Sequence, residues 1–305
     1  MRISTTTMYD QGIARISEIQ AQQVKLQEQI STGKKFNSPS EDPIGAARAL
    51  ELNRSKETND NYADIRKTAE NSLTILESNL DSVTNLMLSA QSQLVAAGNG
   101  ALSNLERGFI ANELQNTLDG MVALGNAQDA SGKYLYSGFS TNTKPFVLNG
   151  GTNNFDYVAS NGSIKLEVAS NQEMPVNFAG NQVFQNGTDA FSTLQDIITL
   201  LNTPITDAAT QATYNNGLAT AIGGMKSSLD NVLNIRATIG GRLNQLDELN
   251  VAGSALDLQY QSGLSDVQDL DYAKALSDFT KTQTLLEAAQ KTFSSTVKLS
   301  LFDFI

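Results

Sequence analysis

Both ends of this chain carry apolar residues at alternating steps of three and four, and each such end must find a facing helix. Near the C-terminus, Tyr272, Leu276, Phe279, Leu286, Ala289, Phe293 and Val297 recur at helical steps, which places them on one stripe of an α-helix. No Gly or Pro follows Gly263, so Leu264 to Ile305 reads as one helix of about thirty residues or more. Gln283 and Gln290 fall on the same stripe; a polar residue in a seam lowers stability but fixes register and partner. At the other end, Tyr9, Gly12, Ile16, Ile19, Gln23, Leu26 and Ile30 form a heptad seam, again with a glutamine in it.

Each terminal helix alone is marginal in water. Ordering a residue costs roughly 1–2 kcal/mol of backbone entropy, while a fully buried large apolar side chain returns roughly 1.5–3 kcal/mol. About five large apolar groups per stripe leave a thin margin. The two ends are therefore expected to pair with each other and to gain order as further copies pack around them. An ordinary intramolecular helix pair is the alternative.

The formal net charge is −11, with no Lys/Arg cluster to serve as a nucleic-acid footprint or to hold an anionic membrane. No apolar run approaches the roughly twenty residues of a membrane span. The first ten residues lack the apolar core of a secretory signal, so the expected chain stays inside the cell or leaves without a cleaved signal. Cys and His are both absent. That removes disulfides, the commonest metal ligands and the commonest general base. No enzyme, no metal and no cofactor is expected.

Read in order, Gly33 ends the first helix, Asn37-Ser38-Pro39 makes a turn, and Asp42 caps a helix with Pro43 just inside it. Ile65, Ala69, Leu73, Leu76, Leu80, Val83, Met87, Ala90, Leu94 and Ala97 predict a very long helix up to Gly98, with a kink or fraying near residues 56–61. A further helix over about 102–130 would turn Leu105, Phe109, Leu114, Leu118, Met121 and Val122 inward. From Tyr134 to Phe184 short alternating runs read as strands, with Asn161-Gly162 as a hairpin turn. Phe191 to Leu201 reads as a short helix broken by Pro204. Residues 207–258 are helical again, with Leu229, Val232, Ile239, Leu243, Leu246 and Leu249 inward and weak points at Gly223-Gly224 and Gly240-Gly241. The fold class is mainly α with a small β-rich insert, long coiled-coil-like helices from both termini and a rod-like subunit. The expected domains are a terminal core (1–40 with 264–305), a helical rod (41–133 with 191–263) and a β-rich insert (134–190).

Candidate sites have plainer explanations. Asp266, Asp269 and Asp271 lack the glycine turn and bidentate acid of a calcium loop and read as a helix start. Glu41-Asp42 reads as capping, and Tyr134 with Tyr136 as strand core rather than a sugar platform. Gly98-Asn-Gly100 and Gly150-Gly151 open no phosphate loop.

Three stretches carry a resemblance. The run from Ser31 to Arg48 (Ser-Thr-Gly-Lys-Lys-Phe-Asn-Ser-Pro-Ser-Glu-Asp-Pro-Ile-Gly-Ala-Ala-Arg) resembles the N-terminal signature shared by flagellins and hook-associated proteins. Gly125 to Phe139 and the terminal run, with Asp269-Leu-Asp-Tyr-Ala-Lys-Ala and the closing Leu301-Phe-Asp-Phe-Ile305, resemble the hook-associated branch of that flagellin family. Phe36 departs from it, standing where many relatives carry a smaller aliphatic residue.

The resemblance implies a homo-oligomeric ring of the bacterial flagellum joining hook to filament, with one face on hook-associated protein 1 and the other on flagellin. It implies export without a cleaved signal by the flagellar type III apparatus, escorted by a chaperone on the C-terminal helix. Its interface residues would be the seam positions Tyr9, Ile16, Ile19, Leu26, Ile30, Leu276, Phe279, Leu286, Phe293 and Val297, with Phe302 in the closing run. A filament-forming flagellin, a glycan-binding adhesin working through segment 134–190 and a carboxylate-based hydrolase are the alternatives.

Overall fold

The computed structural model describes residues 5–302 and, of the side chains, those of residues 6–296. The helices are α1 (Thr5–Thr32), α2 (Pro43–Ala97), α3 (Asn104–Gly125), α4 (Gly180–Phe184), α5 (Ala190–Asn202), α6 (Ala208–Gln268) and α7 (Tyr272–Phe302). Four short strands lie between α3 and α4: β1 (Phe146–Leu148), β2 (Phe155–Tyr157), β3 (Lys165–Ala169) and β4 (Gln172–Pro175). This is the mainly helical fold with a small β insert that the periodicity predicts, and α1 packs on α7 as expected. The chain divides into two compact units, Met1–Asp60 with Ser254–Ile305, and Asn61–Gly253.

The core of the second unit lies along the predicted α2 stripe. Leu73, Leu80, Val83, Met87, Ala90 and Leu94 are completely buried there. They meet Leu114, Leu118 and Met121 of α3 and Met225, Val232 and Ile239 of α6 in one cluster. The helix α2 runs unbroken through residues 56–61. Lys56 and Asp60, one turn apart, close an ion pair at 2.8 Å, the geometry that supports rather than frays an exposed helix. Likewise α6 passes both glycine pairs. Each Gly costs about 1 kcal/mol relative to Ala, and burial of Met225 and Ile239 beside them offsets that.

Two expectations for α3 fail at its first turns. Leu105 and Phe109 are 69% and 62% exposed. The inward stripe instead runs Arg107, Ala111, Leu114, Leu118, Met121, and at its start the position belongs to Arg107, whose guanidinium lies 4.9 Å over the Tyr214 ring. The aliphatic stem and planar head of an arginine can occupy such a place. The helix itself starts at a capping box: Ser103 accepts from the Glu106 amide and Glu106 returns the bond to the Ser103 amide.

The strands form two separate antiparallel hairpins, β1 with β2 and β3 with β4. Phe146 pairs with Tyr157, and Lys165 with Pro175. The turns lie at residues 149–154 and at Ser170-Asn171, where Asn171 takes a φ of 59°. Asn161-Gly162 is not a hairpin turn; it links β2 to β3. The glycine is needed there for another reason, since a Cβ at 162 would stand 1.8 Å from the Phe139 ring. Tyr134 to Tyr136 is not a strand either. Tyr136 is nevertheless core: it is fully buried, and its hydroxyl donates to Asn79 Oδ1 of α2 at 2.7 Å. Burial pushes its phenol far above the usual range, with the Glu77 carboxylate adding to the shift. Beside it, Phe146, Phe184 and Phe191 pack at 4.9–5.5 Å between centroids.

Candidate assembly surface

The first unit is built differently. Among its described residues only the side chains of Ala49, Ala275 and Thr282 are buried, so it has no thick core. What holds it is a helix pair and the joint at one end of that pair.

The predicted seam of α1 is the observed one. Tyr9, Gly12, Ile16, Ile19, Gln23, Leu26 and Ile30 are each half-buried, while the residues between them are exposed apart from Gln29. Gly33 then ends the helix in the left-handed region, at φ 71°, which glycine adopts without strain. Its amide donates to Gln29 O at 2.8 Å. The chain then runs antiparallel to the link between α6 and α7. The Lys35 amide donates to Gln268 O and the Leu270 amide donates to Gly33 O, both at 2.8 Å. Lys35 Nζ donates to Asp266 O at 2.6 Å, and the Gln29 side-chain amide donates to Lys35 O. The Tyr272 hydroxyl lies against Gly33, where a Cβ would stand 2.8 Å from it.

This joint also explains why the C-terminal helix does not start near Gly263, as its sequence suggests. Residues 268–270 give backbone groups to the joint, and α6 ends at Gln268. Asp271 caps the new helix, accepting from the Lys274 amide at 3.0 Å. Asp269 takes the Ser265 hydroxyl at 2.5 Å. Across the joint, Asp42 caps α2 by accepting from the Gly45 amide at 2.8 Å. Glu41 accepts from the Asn37 amide at 2.7 Å and faces Lys25 at 3.4 Å. The Asn37 N–H, with help from Lys25, holds the Glu41 carboxyl below its ordinary value.

On α7 the structure corrects the frame of the stripe. Ala275, Phe279, Thr282, Leu286, Ala289 and Phe293 turn inward. Leu276 is 59% exposed, Tyr272 serves the joint rather than the seam, and Gln283 and Gln290 face solvent. The inward positions step by four and three from Ala275, one residue ahead of Leu276. Ala275 and Thr282 carry too little apolar signal to mark the stripe in the sequence. The seam's polar members are therefore Gln23 and Thr282. Val297 and Phe302 lie outside the residues whose side chains are described.

At the far end of the pair Phe293 crosses the Tyr9 ring edge-on at 5.9 Å and covers Gly12, where a Cβ would stand 2.6 Å from the ring. Beside this contact runs an open groove of about 650 Å³, walled by Met8, Gly12 and Ile19 of α1 and by Leu285, Ala289 and Phe293 of α7. Met8 and Leu285 are half-exposed, as are Ile13 and Val24. A pair that leaves large apolar residues in water along a groove presents the chemistry of a helix-in-groove interface.

Among the described residues no group of His, Cys, Asp or Glu could hold a metal ion, and no helix is long and apolar enough to cross a membrane. Residues 3–141 match the bacterial flagellin N-terminal helical region. The chain is 34% identical over 317 residues to flagellar hook-associated protein 3 of Escherichia coli and 35% identical over 318 residues to flagellar hook-associated protein 3 of Salmonella typhimurium; each match covers 99% of both chains. Its fold is that of the flagellar junction protein FlgL from Legionella pneumophila, with a TM-score of 0.65 at 16% identity over 73% of this chain and 100% of that one. Xanthomonas campestris FlgL gives 0.64 at 18% identity, over 70% of this chain and 99% of that one.

Proposed function

Because the chain belongs to the flagellar hook-associated protein 3 family of flagellin-like proteins, we propose that it enters the hook–filament junction as a ring of copies held through its terminal helices. It is a structural component of the bacterial flagellum, outside the cell, and not an enzyme. The observation that carries the proposal is the terminal pair: a half-buried seam, a joint that fixes one end, and an apolar groove open along its flank. Such a pair completes its burial when helices of other copies lie in the groove. The interface residues are then Tyr9, Ile16, Ile19, Leu26 and Ile30 with Phe279, Leu286 and Phe293, and Leu276 on the outer face; Val297 and Phe302 extend the set.

On this reading one face of the ring meets hook-associated protein 1 and the other meets flagellin. The terminal pair lines the inside of the tube and segment 134–190 lies outermost. The chain leaves the cell unfolded through the flagellar type III apparatus, with a chaperone on the C-terminal helix. A chain without cysteine cannot be trapped on the way by a premature disulfide.

The test is complementation of a strain lacking the protein. Leu286→Asp with Phe293→Asp, or deletion of residues 264–305, is expected to abolish motility and incorporation into flagella while the second unit still melts cooperatively. Full motility with either variant would defeat the proposal.

A further inference from the structure

Five asparagines of this chain are followed directly by glycine, at positions 99, 149, 161, 186 and 216. Such a pair is where a main chain can attack itself without help. The glycine nitrogen, with no side chain beside it, reaches the asparagine Cγ and closes a five-membered imide. A fold promotes this in three ways. It lays the side chain back over the following peptide, it leaves the glycine N–H untied, and it places a donor on Oδ1, the oxygen that turns negative as the tetrahedral intermediate forms.

All three conditions are met at two of the five pairs. Asn149 lies in the turn between β1 and β2, and its Oδ1 accepts from the Gly151 amide at 2.9 Å. Asn99 lies in the turn between α2 and α3, and its Oδ1 accepts from the Ala101 amide at 3.1 Å. A side chain bonded to the second amide onward lies over the amide between them. Those intervening amides, of Gly150 and Gly100, have no acceptor among the described residues. Nothing lies within 4 Å of where a Cβ would stand on either glycine, so the attack is sterically open.

At the other three pairs the fold withholds a condition. Asn216 and Gly217 lie inside α6, where the glycine amide is spent on the helix. The Gly162 amide donates to Ser160 Oγ at 3.3 Å. Asn186 is held elsewhere, its Nδ2 donating to Asn231 Oδ1 at 3.0 Å.

We infer that Asn149-Gly150 and Asn99-Gly100 are self-modifying sites, where the folded chain turns asparagine into aspartate and isoaspartate, and that the fold protects the other three pairs. At the first site the Gly150 nitrogen gives its proton to solvent and bonds to Asn149 Cγ. The Cγ–Nδ2 bond breaks, and the nitrogen takes a proton from solvent and leaves as ammonia. Water then opens the imide. Addition at Cγ gives aspartate; addition at the Asn149 carbonyl carbon gives isoaspartate, with the main chain rerouted through the former side chain.

Neither product keeps the turn. Asn149 Nδ2 donates to Asp156 Oδ2 at 2.8 Å, so aspartate there sets one carboxylate against another across the strands. Isoaspartate disrupts the main-chain bonds that close the turn, from the Asn149 amide to Asn154 O and from the Asn153 amide to Asn149 O, both 2.8 Å. The β1–β2 hairpin therefore ages from its turn.

The test holds the full-length protein in mildly alkaline buffer, folded and, in parallel, in concentrated urea. Peptide mass spectrometry that separates asparagine, aspartate and isoaspartate follows all five pairs. In urea each pair has the same neighbour and supplies its own reference rate. In the folded protein, positions 149 and 99 are expected to convert at least as fast as in urea. Positions 161, 186 and 216 are expected to convert about tenfold more slowly or slower still, because each must first open locally. Slower conversion at 149 or 99 in the folded chain than in urea would overturn the inference. Conversion at any of the other three as fast as in urea would overturn it too, because the fold would then not be choosing among the pairs.

Discussion

Gly12 sits where two effects of opposite sign meet, and their balance can be measured. Replacing a helical Gly by Ala stabilises a helix by about 1 kcal/mol. Here the added methyl would stand 2.6 Å from Cδ2 and 2.8 Å from Cε2 of Phe293, closer than real contacts allow. Overpacking of this kind costs about 1–3 kcal/mol. The ring is half-buried and can yield in part, so Gly12→Ala is expected to destabilise the pair by a net 0–2 kcal/mol, about one- to thirty-fold in local opening. Phe293→Ala removes the obstacle together with the Tyr9 contact, an aromatic pair contributing about 0.5–1.5 kcal/mol beyond its buried area. In that background Gly12→Ala meets nothing and should stabilise α1 by about 1 kcal/mol, roughly five-fold. The sign of one substitution thus reverses with the state of the other residue, a coupling of about 1–3 kcal/mol. Native-state trypsin cleavage at Arg15 and Lys25 reads local opening of α1. Equal slowing of cleavage by Gly12→Ala in both backgrounds would refute the placement of the ring over Gly12.

Tyr136→Phe should lower the stability of the second unit by about 0.5–1.5 kcal/mol, because it removes the bond to Oδ1 of the half-buried Asn79; a thermal melt unchanged from the parent would contradict the bond. The Glu41 carboxyl holds its proton less tightly when folded than when unfolded. Its contribution to the turn before α2 is therefore present above the ordinary glutamate range and lost as the pH falls through its lowered folded value. The Asn37 amide resonance should titrate with that carboxyl, and a flat response between about pH 5 and pH 2 would show that the bond is not made.

Much of the fold was legible in the sequence because its signal was apolar and periodic. The α2 stripe from Ala69 to Ala97 and the α1 seam from Tyr9 to Ile30 fell at the expected positions for that reason. Where an inward position is filled by something other than a large apolar residue, the same reasoning slips by a residue or two. On α7 the seam runs through Ala275 and Thr282, so the neighbouring Leu276 drew the stripe toward itself. On α3 it starts at Arg107, so Leu105 and Phe109 looked like core. The Asn161-Gly162 pair carried the chemistry of a hairpin turn, but the close approach of the Phe139 ring, a contact distant in sequence, is what requires its glycine. The end of α6 was hidden as well: nothing local breaks the helix at Gln268 except backbone partners that lie more than two hundred residues earlier.

That last separation governs when the terminal pair can close. Lys35 and Asp266, which meet at the joint, are 231 residues apart in the chain. The entropy of closing a flexible loop of that length is about 5 kcal/mol, and contacts of such high order form late. The second unit can fold from its own segment, whereas α1 has no partner until nearly the whole chain has been delivered. On the proposed end-first export of this polypeptide, the last residues out would act as a timer: the adhesive helices would stay apart throughout transit and come together only on arrival.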